Sequence, residues 1–297
     1  MIQSGASSLS FSLAGIRFDF RGLPGSPSFR LPDEYALFLN PPGTDAPDAL
    51  YQVSPVGAEA ISSDGGKIFW DNGLWRVRRF AAHRFDIEIH DAQMPGWRKA
   101  AEVEDDFAAG LFFPSPCSLR DGPLRPFHHP QDRAIVLGRF CHLRGVMIHS
   151  SCVWVDGKVL LFFGVSGAGK TTIARLWRSD GATILNDERN LIRVRGDAVW
   201  AGASPWHGEE NKVNAATGPL AAAFFLKQSA TNALRPMPPT ESLTRLLTAA
   251  FIPVFVPDGP GKVLDACGTI AERVPSYELS FTPDKRALDL CRSVVNG

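Results

Sequence analysis

Hydrophobic and polar positions follow two different periods along the chain. Early on they alternate: Leu9, Phe11 and Leu13 are separated by polar neighbours, and Ile16, Phe18 and Phe20 repeat the pattern after Gly15. A period of two is that of a half-buried strand, so this stretch predicts a β-hairpin in largely antiparallel structure. Phe85, Ile87 and Ile89 continue the alternation. Asn72-Gly73, between Ile68-Phe69-Trp70 and Leu74-Trp75-Arg76-Val77, predicts a second hairpin with a type I′ turn, whose two central residues need positive φ. Later the pattern changes. Val159-Leu160-Leu161-Phe162-Phe163 is an unbroken apolar run, as in a strand buried on both faces, and residues 171–177 then take helical spacing. Asp156-Gly157 predicts a tight turn before that run, which makes the preceding strand, Val153 to Val155, antiparallel to it.

Downstream, residues 182–185 predict a strand, and Leu191–Val194 with Ala198–Trp200 a hairpin about Arg195-Gly196-Asp197. Residues 221–226 suggest a further buried strand and Glu241–Phe251 a helix. Between the two regimes, Pro114, Pro116, Pro123, Pro126 and Pro130 form the most proline-rich stretch, and proline removes donors and restricts its neighbours in a way that suits a linker. A boundary near residue 128 is therefore expected, with a β-rich domain over 1–128 and an α/β domain over 129–297.

Composition narrows the classes. Lys and Arg together number 31 and Asp and Glu 31, so no overall field attracts nucleic acid or an anionic membrane. The five cysteines are scattered, odd in number and lack C-x-x-C spacing, which favours a reducing cytoplasm and argues against structural zinc. Arg17, Asp19 and Arg21 interrupt the only candidate for a secretion signal, and the apolar stretch 246–256 is shorter than the ~20 residues of a bilayer span. A soluble cytoplasmic protein is the expectation.

Gly164 to Thr171 read G-V-S-G-A-G-K-T, a complete G-x-x-x-x-G-K-[ST] phosphate-binding loop placed between the apolar strand and the helix. Glycines 164, 167 and 169 allow the tight turn that aims successive N–H groups at an anion, and the helix N-terminus adds its unpaired N–H groups. Gly164, Ser166, Gly167, Ala168, Gly169, Lys170, Thr171 and Thr172 are thus the predicted cradle for ATP or another nucleoside triphosphate. Lys170 would reach the β- and γ-phosphates, and Thr171 would ligate a magnesium ion.

Transfer also needs acids. Asp187 and Glu188 follow the apolar Ile184-Leu185, at the point where the chain returns after the loop helix. One carboxylate would accept a hydroxyl proton while the other, Glu188 in our assignment, holds magnesium; the plainer alternative is an exposed turn with a Glu188–Arg189 surface pair. His149 precedes the strand that is hairpin-paired to the loop strand, which places it toward the triphosphate end. Trp206, His207 and Glu209 share a loop that is a candidate lid or substrate wall. Lys212, Arg235 and Arg245 are cations of a type that supports phosphate charge, although solvated surface positions are their commoner fate.

Together His149, the turn at Asp156-Gly157, the loop and Leu185-Asn186-Asp187-Glu188 resemble the C-terminal domain of HPr kinase/phosphorylase, a fold related to ATP-dependent phosphoenolpyruvate carboxykinase. The nearer likeness is to HPr-kinase-like proteins of bacterial peptide-modification clusters. The resemblance covers about residues 129–297 and implies an HPr kinase-like α/β (α+β) domain with a mixed sheet, behind a smaller β-rich domain. It implies that Asp187 matches the family's acid/base aspartate, with Glu188 in place of a second aspartate, and that His149 and Lys170 share the catalytic site. Thr171-Thr172 stand where the family carries Ser-Glu, and Pro205 to Glu209 replace a glycine-rich signature. Those departures point away from HPr itself as acceptor and away from the phosphorylase reaction.

The function these residues suggest is an ATP- and Mg-dependent kinase acting on a hydroxyl, serine above all, of a peptide, protein or small molecule. Neither nucleic acid nor membrane is an expected partner, and the resemblance implies a homo-oligomer. The rival readings are a nucleotide-gated peptide-binding module without turnover, in which residues 1–128 grip the peptide, and a small-molecule enzyme nearer the carboxykinases.

Overall fold

The computed structural model describes residues 7–41, 45–57, 65–80, 83–90, 96–114, 124–125, 127, 129–208 and 213–295. Glu209, Lys212, Cys117, His128 and most of the proline-rich stretch lie outside them. Two compact units make up the chain, one of Met1–Ser12, Ile16–His142 and Pro253–Gly259, the other of Leu13–Gly15, Leu143–Ile252 and Pro260–Gly297.

The first unit holds an eight-stranded sheet. Its strands are β1 (Ser8–Leu13), β2 (Ile16–Gly22), β3 (Ala49–Val53), β4 (Lys67–Asp71), β5 (Trp75–Phe80), β6 (Arg84–His90), β7 (Trp97–Glu104) and β8 (Ala109–Phe112), in the order β1-β2-β3-β8-β7-β6-β5-β4. The alternating residues of β1 and β2 turn inward, and Phe11 stacks on Phe18 with ring centroids 5.0 Å apart, beside buried Phe20, Tyr35 and Phe127. The antiparallel expectation holds for β4 to β8 but not throughout, because β3 pairs in parallel with both β2 and β8. The connection from β2 to β3 carries a 3₁₀ helix, Asp33–Phe38, and is long enough for the crossover that a parallel pair requires.

At Asn72-Gly73 only Gly73 has positive φ, 83°, so the expected type I′ turn does not form. Instead the Asn72 Oδ1 accepts from the N–H groups of Leu74 and Trp75, both at 3.0 Å. On β6 the polar alternates are buried as well: Glu88 lies between Arg76 and Arg78, and Asp86 meets Lys99 at 2.7 Å. Paired charge is what makes such burial tolerable.

Helix α1 (Gln131–His142) belongs to this unit. Gly138 lies so close to the Phe107 ring that a Cβ there would be 2.5 Å from it, and the Tyr35 hydroxyl reaches Asp132 at 3.3 Å. The change of unit therefore follows α1, whereas the proline-rich stretch precedes it.

The second unit is α/β. It contains β9 (Gly145–His149), β10 (Ser151–Val155), β11 (Lys158–Phe163), α2 (Lys170–Ser179), β12 (Thr183–Asn186), β13 (Arg189–Arg195), β14 (Ala198–Ala203), β15 (Thr217–Gln228), β16 (Ala233–Pro236), α3 (Pro239–Ala249), β17 (Ala250–Phe251), α4 (Gly259–Arg273), β18 (Ser276–Phe281) and α5 (Lys285–Val295). The main order is β12-β10-β11-β15-β14-β13-β9-β17, with β18 pairing in parallel with the second half of β15. β10 is antiparallel to β11, as the Asp156-Gly157 turn requires, with φ of 51° and 77° at its two residues, and it is antiparallel to β12 as well. The sheet is mixed. Leu160, Phe162 and Phe224 face Ile173 and Trp177 of α2 and Leu288 of α5, all buried in one cluster. That packing anchors the strand and helix that carry the phosphate loop. No helix among the described residues is long and apolar enough to cross a membrane.

Candidate functional site

Residues 164–169 turn the chain from β11 into α2. Gly167 and Gly169 take φ of 80° and 103°. At Gly169 geometry and space act together, since a Cβ would also stand 2.7 Å from Cζ of Phe281. Gly169→Ala is therefore expected to displace the Phe281 ring and distort the loop, weakening ATP binding well before it unfolds the chain; calorimetric titration beside a melting curve checks this. The Gln228 side chain donates to the carbonyl of Gly167 at 2.6 Å and ties the loop to the end of β15. Ser166 is exposed in the loop, Ala168 is buried, and Thr171 and Thr172 are exposed in the first turn of α2. Lys170 folds back along the loop, its Nζ donating to the carbonyl of Gly164 at 2.6 Å. Partial burial holds its pKa below the usual lysine range, with Glu188 opposing.

His149 ends β9 opposite Arg189 of β13. Its Nδ1 lies 3.1 Å from the carbonyl of Glu188, and a carbonyl only accepts, so Nδ1 carries the hydrogen and Nε2 keeps its lone pair. Burial, then the charge of Lys170, holds the imidazole below its ordinary pKa. Both effects favour the neutral ring.

Asp187 and Glu188 occupy the turn between β12 and β13. The turn is organised by Asn186, which is fully buried and was not singled out by the sequence pattern. Its Oδ1 accepts from the N–H of Glu188 at 2.8 Å, while its Nδ2 donates to the carbonyls of Ser204 and Trp206, each at 3.0 Å. One side chain thus fixes the acidic turn and the loop that carries Trp206. Asn186→Ala leaves those buried groups unsatisfied and is expected to lower stability by about 1–3 kcal/mol, read from the denaturation midpoint.

The N–H of Gly208 donates to Oδ1 of Asp187 at 3.1 Å. A Cβ at Gly208 would lie 3.1 Å both from Oδ1 of Asp187 and from Oε2 of Glu188, so the two carboxylates converge on one point. Glu188 also pairs with Arg189 at 2.9 Å, the plainer arrangement raised by the sequence. Trp206 is buried, and His207 donates from Nδ1 to the carbonyl of Gly208 at 2.9 Å.

His149, Lys170 and Glu188 therefore lie within electrostatic range of one another, and Asp187 adjoins Glu188 across Gly208. Arg235 and Arg245 are instead held in ion pairs with Glu241 and Glu278. His142 bonds the carbonyl of Gly138 within α1. Two converging carboxylates supply the hard oxygen donors that magnesium takes, and magnesium typically adds substrate phosphates to one or two such groups. Glu188 and Thr171 would hold it.

No family model matches the chain, and no curated protein matches it. Among solved structures that match is the Hpr(Ser) kinase/phosphatase from Coxiella burnetii, 10% identical, covering 50% of this chain and 93% of that one with a TM-score of 0.29. A likeness at that level carries no argument about the site.

Proposed function

We propose that the chain is an ATP- and magnesium-dependent kinase that transfers the γ-phosphoryl group to a hydroxyl, serine above all, of a peptide or protein. The observation that supports this reading is the bond of His149 to the backbone of Glu188, in the turn that also carries Asp187, together with a complete phosphate loop whose Lys170 feels the charge of Glu188. In the reaction Lys170 leaves the carbonyl of Gly164 for the β- and γ-phosphates, and the loop N–H groups stabilise charge on the phosphoryl oxygens. Asp187 accepts the acceptor's proton on the oxygen opposite its bond to Gly208. His149, neutral and held at Nδ1, orients the acceptor hydroxyl through Nε2. Thr171 and Glu188 would hold magnesium, which would neutralise phosphate charge.

The Glu188–Arg189 pair favours one other reading, nucleotide binding without turnover, because it engages a carboxylate that magnesium would use. Incubation with γ-labelled ATP and serine-containing peptides or proteins separates the two. A labelled serine supports the kinase; saturable ATP binding with no labelled product across acceptors supports the binding module.

A further inference from the structure

Beside the phosphate loop lies a cavity of about 480 Å³, on the sheet face opposite α2, bounded by His149, Gly164, Val165, Phe225, Arg245 and Phe251. Its size is that of a small-ligand pocket. We infer that this cavity seats a large apolar side chain next to the hydroxyl that is phosphorylated, so that the acceptor is a peptide with a hydrophobic residue flanking its serine. The inference rests on the kinase reading.

Three observations favour an apolar guest. The walls are aromatic: Phe163 and Phe225 stack at 4.8 Å, and Phe251 closes another side. Arg245, the cation whose side chain lines the wall, is already compensated, since it bonds Glu241 at 2.9 Å and Glu278 at 2.7 Å and lies over the Phe225 ring at 5.7 Å. An acidic guest would find no unmet charge on Arg245. Finally, Val165 at the lip is 81% exposed and adds apolar surface beside the cavity. Position assigns the guest to the acceptor. The cavity is lined by His149 and by Phe163 and Gly164, where the chain leaves β11, so a side chain seated in it brings the neighbouring hydroxyl to the imidazole.

The test is a set of serine peptides varied at the residues beside the serine, assayed with γ-labelled ATP on the full chain and on Ala249→Trp, which projects bulk into the cavity from the end of α3. The wild type is expected to favour Leu, Ile, Met or Phe over Ala or Asp by about 10- to 200-fold in kcat/KM, the range of apolar-pocket discrimination. Ala249→Trp should lose that preference with ATP affinity unchanged. Phe251→Ala, which enlarges the cavity, should shift the preference toward larger residues and so serves if the first variant does not fold. Equal rates across the set would overturn the inference and leave the kinase standing. Weakened ATP binding with the preference retained would overturn it by giving the cavity to the nucleoside, and absence of any labelled peptide would overturn this inference, the kinase reading falling with it only if protein acceptors are unlabelled too.

Discussion

Asp187→Asn is expected to lower phosphoryl transfer by about 10²- to 10⁴-fold, the contribution of a positioned general base, with ATP affinity unchanged. The substitution is close to isosteric. An asparagine Oδ1 still accepts the Gly208 N–H bond, which measures 3.1 Å in the native chain, so the loop after Trp206 keeps its anchor and only proton acceptance is lost. Initial rates with γ-labelled ATP, set beside calorimetric ATP binding, measure the two quantities separately. A normal rate would remove Asp187 from its role. Glu188→Gln should behave differently, raising the magnesium concentration for half-maximal rate, because the carboxylate lost is the one assigned to the metal.

Lys170→Ala is expected to lower turnover by about 10²- to 10³-fold, the scale of removing one preorganised donor from developing charge, and to weaken ATP binding as well. Nζ is held by the carbonyl of Gly164, at the start of the loop. Burial lowers its pKa there, and a bound triphosphate reverses the shift by favouring the charged form. Stability should barely change, since Lys170 is only partly buried and the released carbonyl borders exposed residues. A melting curve matching the wild type beside a collapsed kcat/KM separates this account from misfolding. Lys170→Arg should not restore activity, because a planar guanidinium cannot replace a compact ammonium in so tight a turn.

Much of the second unit was legible because its signals are local. The run from Val159 to Phe163, the glycines and the Lys-Thr pair dictate strand, turn and helix within a few residues, and all three form. Asp156-Gly157 was legible for the same reason, as both residues take positive φ. What escaped depends on partners distant in sequence. The parallel pairing of β3 with β2 and β8 leaves no mark on its alternation, and the burial of Asp86 and Glu88 depends on Lys99, Arg76 and Arg78 from neighbouring strands. Asn72-Gly73 carried the right hairpin and the wrong turn, because the Asn72 side chain satisfies the loop from a conventional backbone conformation. β18, α4 and α5 went unread, their apolar positions being spread among charged ones.

Asn186 is the instructive omission within the site. As one polar residue at a strand end it reads as ordinary, yet it bonds two loops separated from each other by more chain than either contains. A fully buried amide following an apolar strand and preceding two acids is the signal that finds it. Gln228 has the same character, since its bond to Gly167 joins the end of β15 to the phosphate loop.

The most direct measurement is a crystal structure of the full chain with magnesium and a non-hydrolysable ATP analogue. The account predicts the triphosphate wrapped by the N–H groups of residues 164–171, Lys170 transferred from the Gly164 carbonyl to the terminal phosphates, and both His149 and Asp187 facing the γ-phosphorus. A triphosphate bound with its terminal phosphate directed away from those two side chains would contradict it.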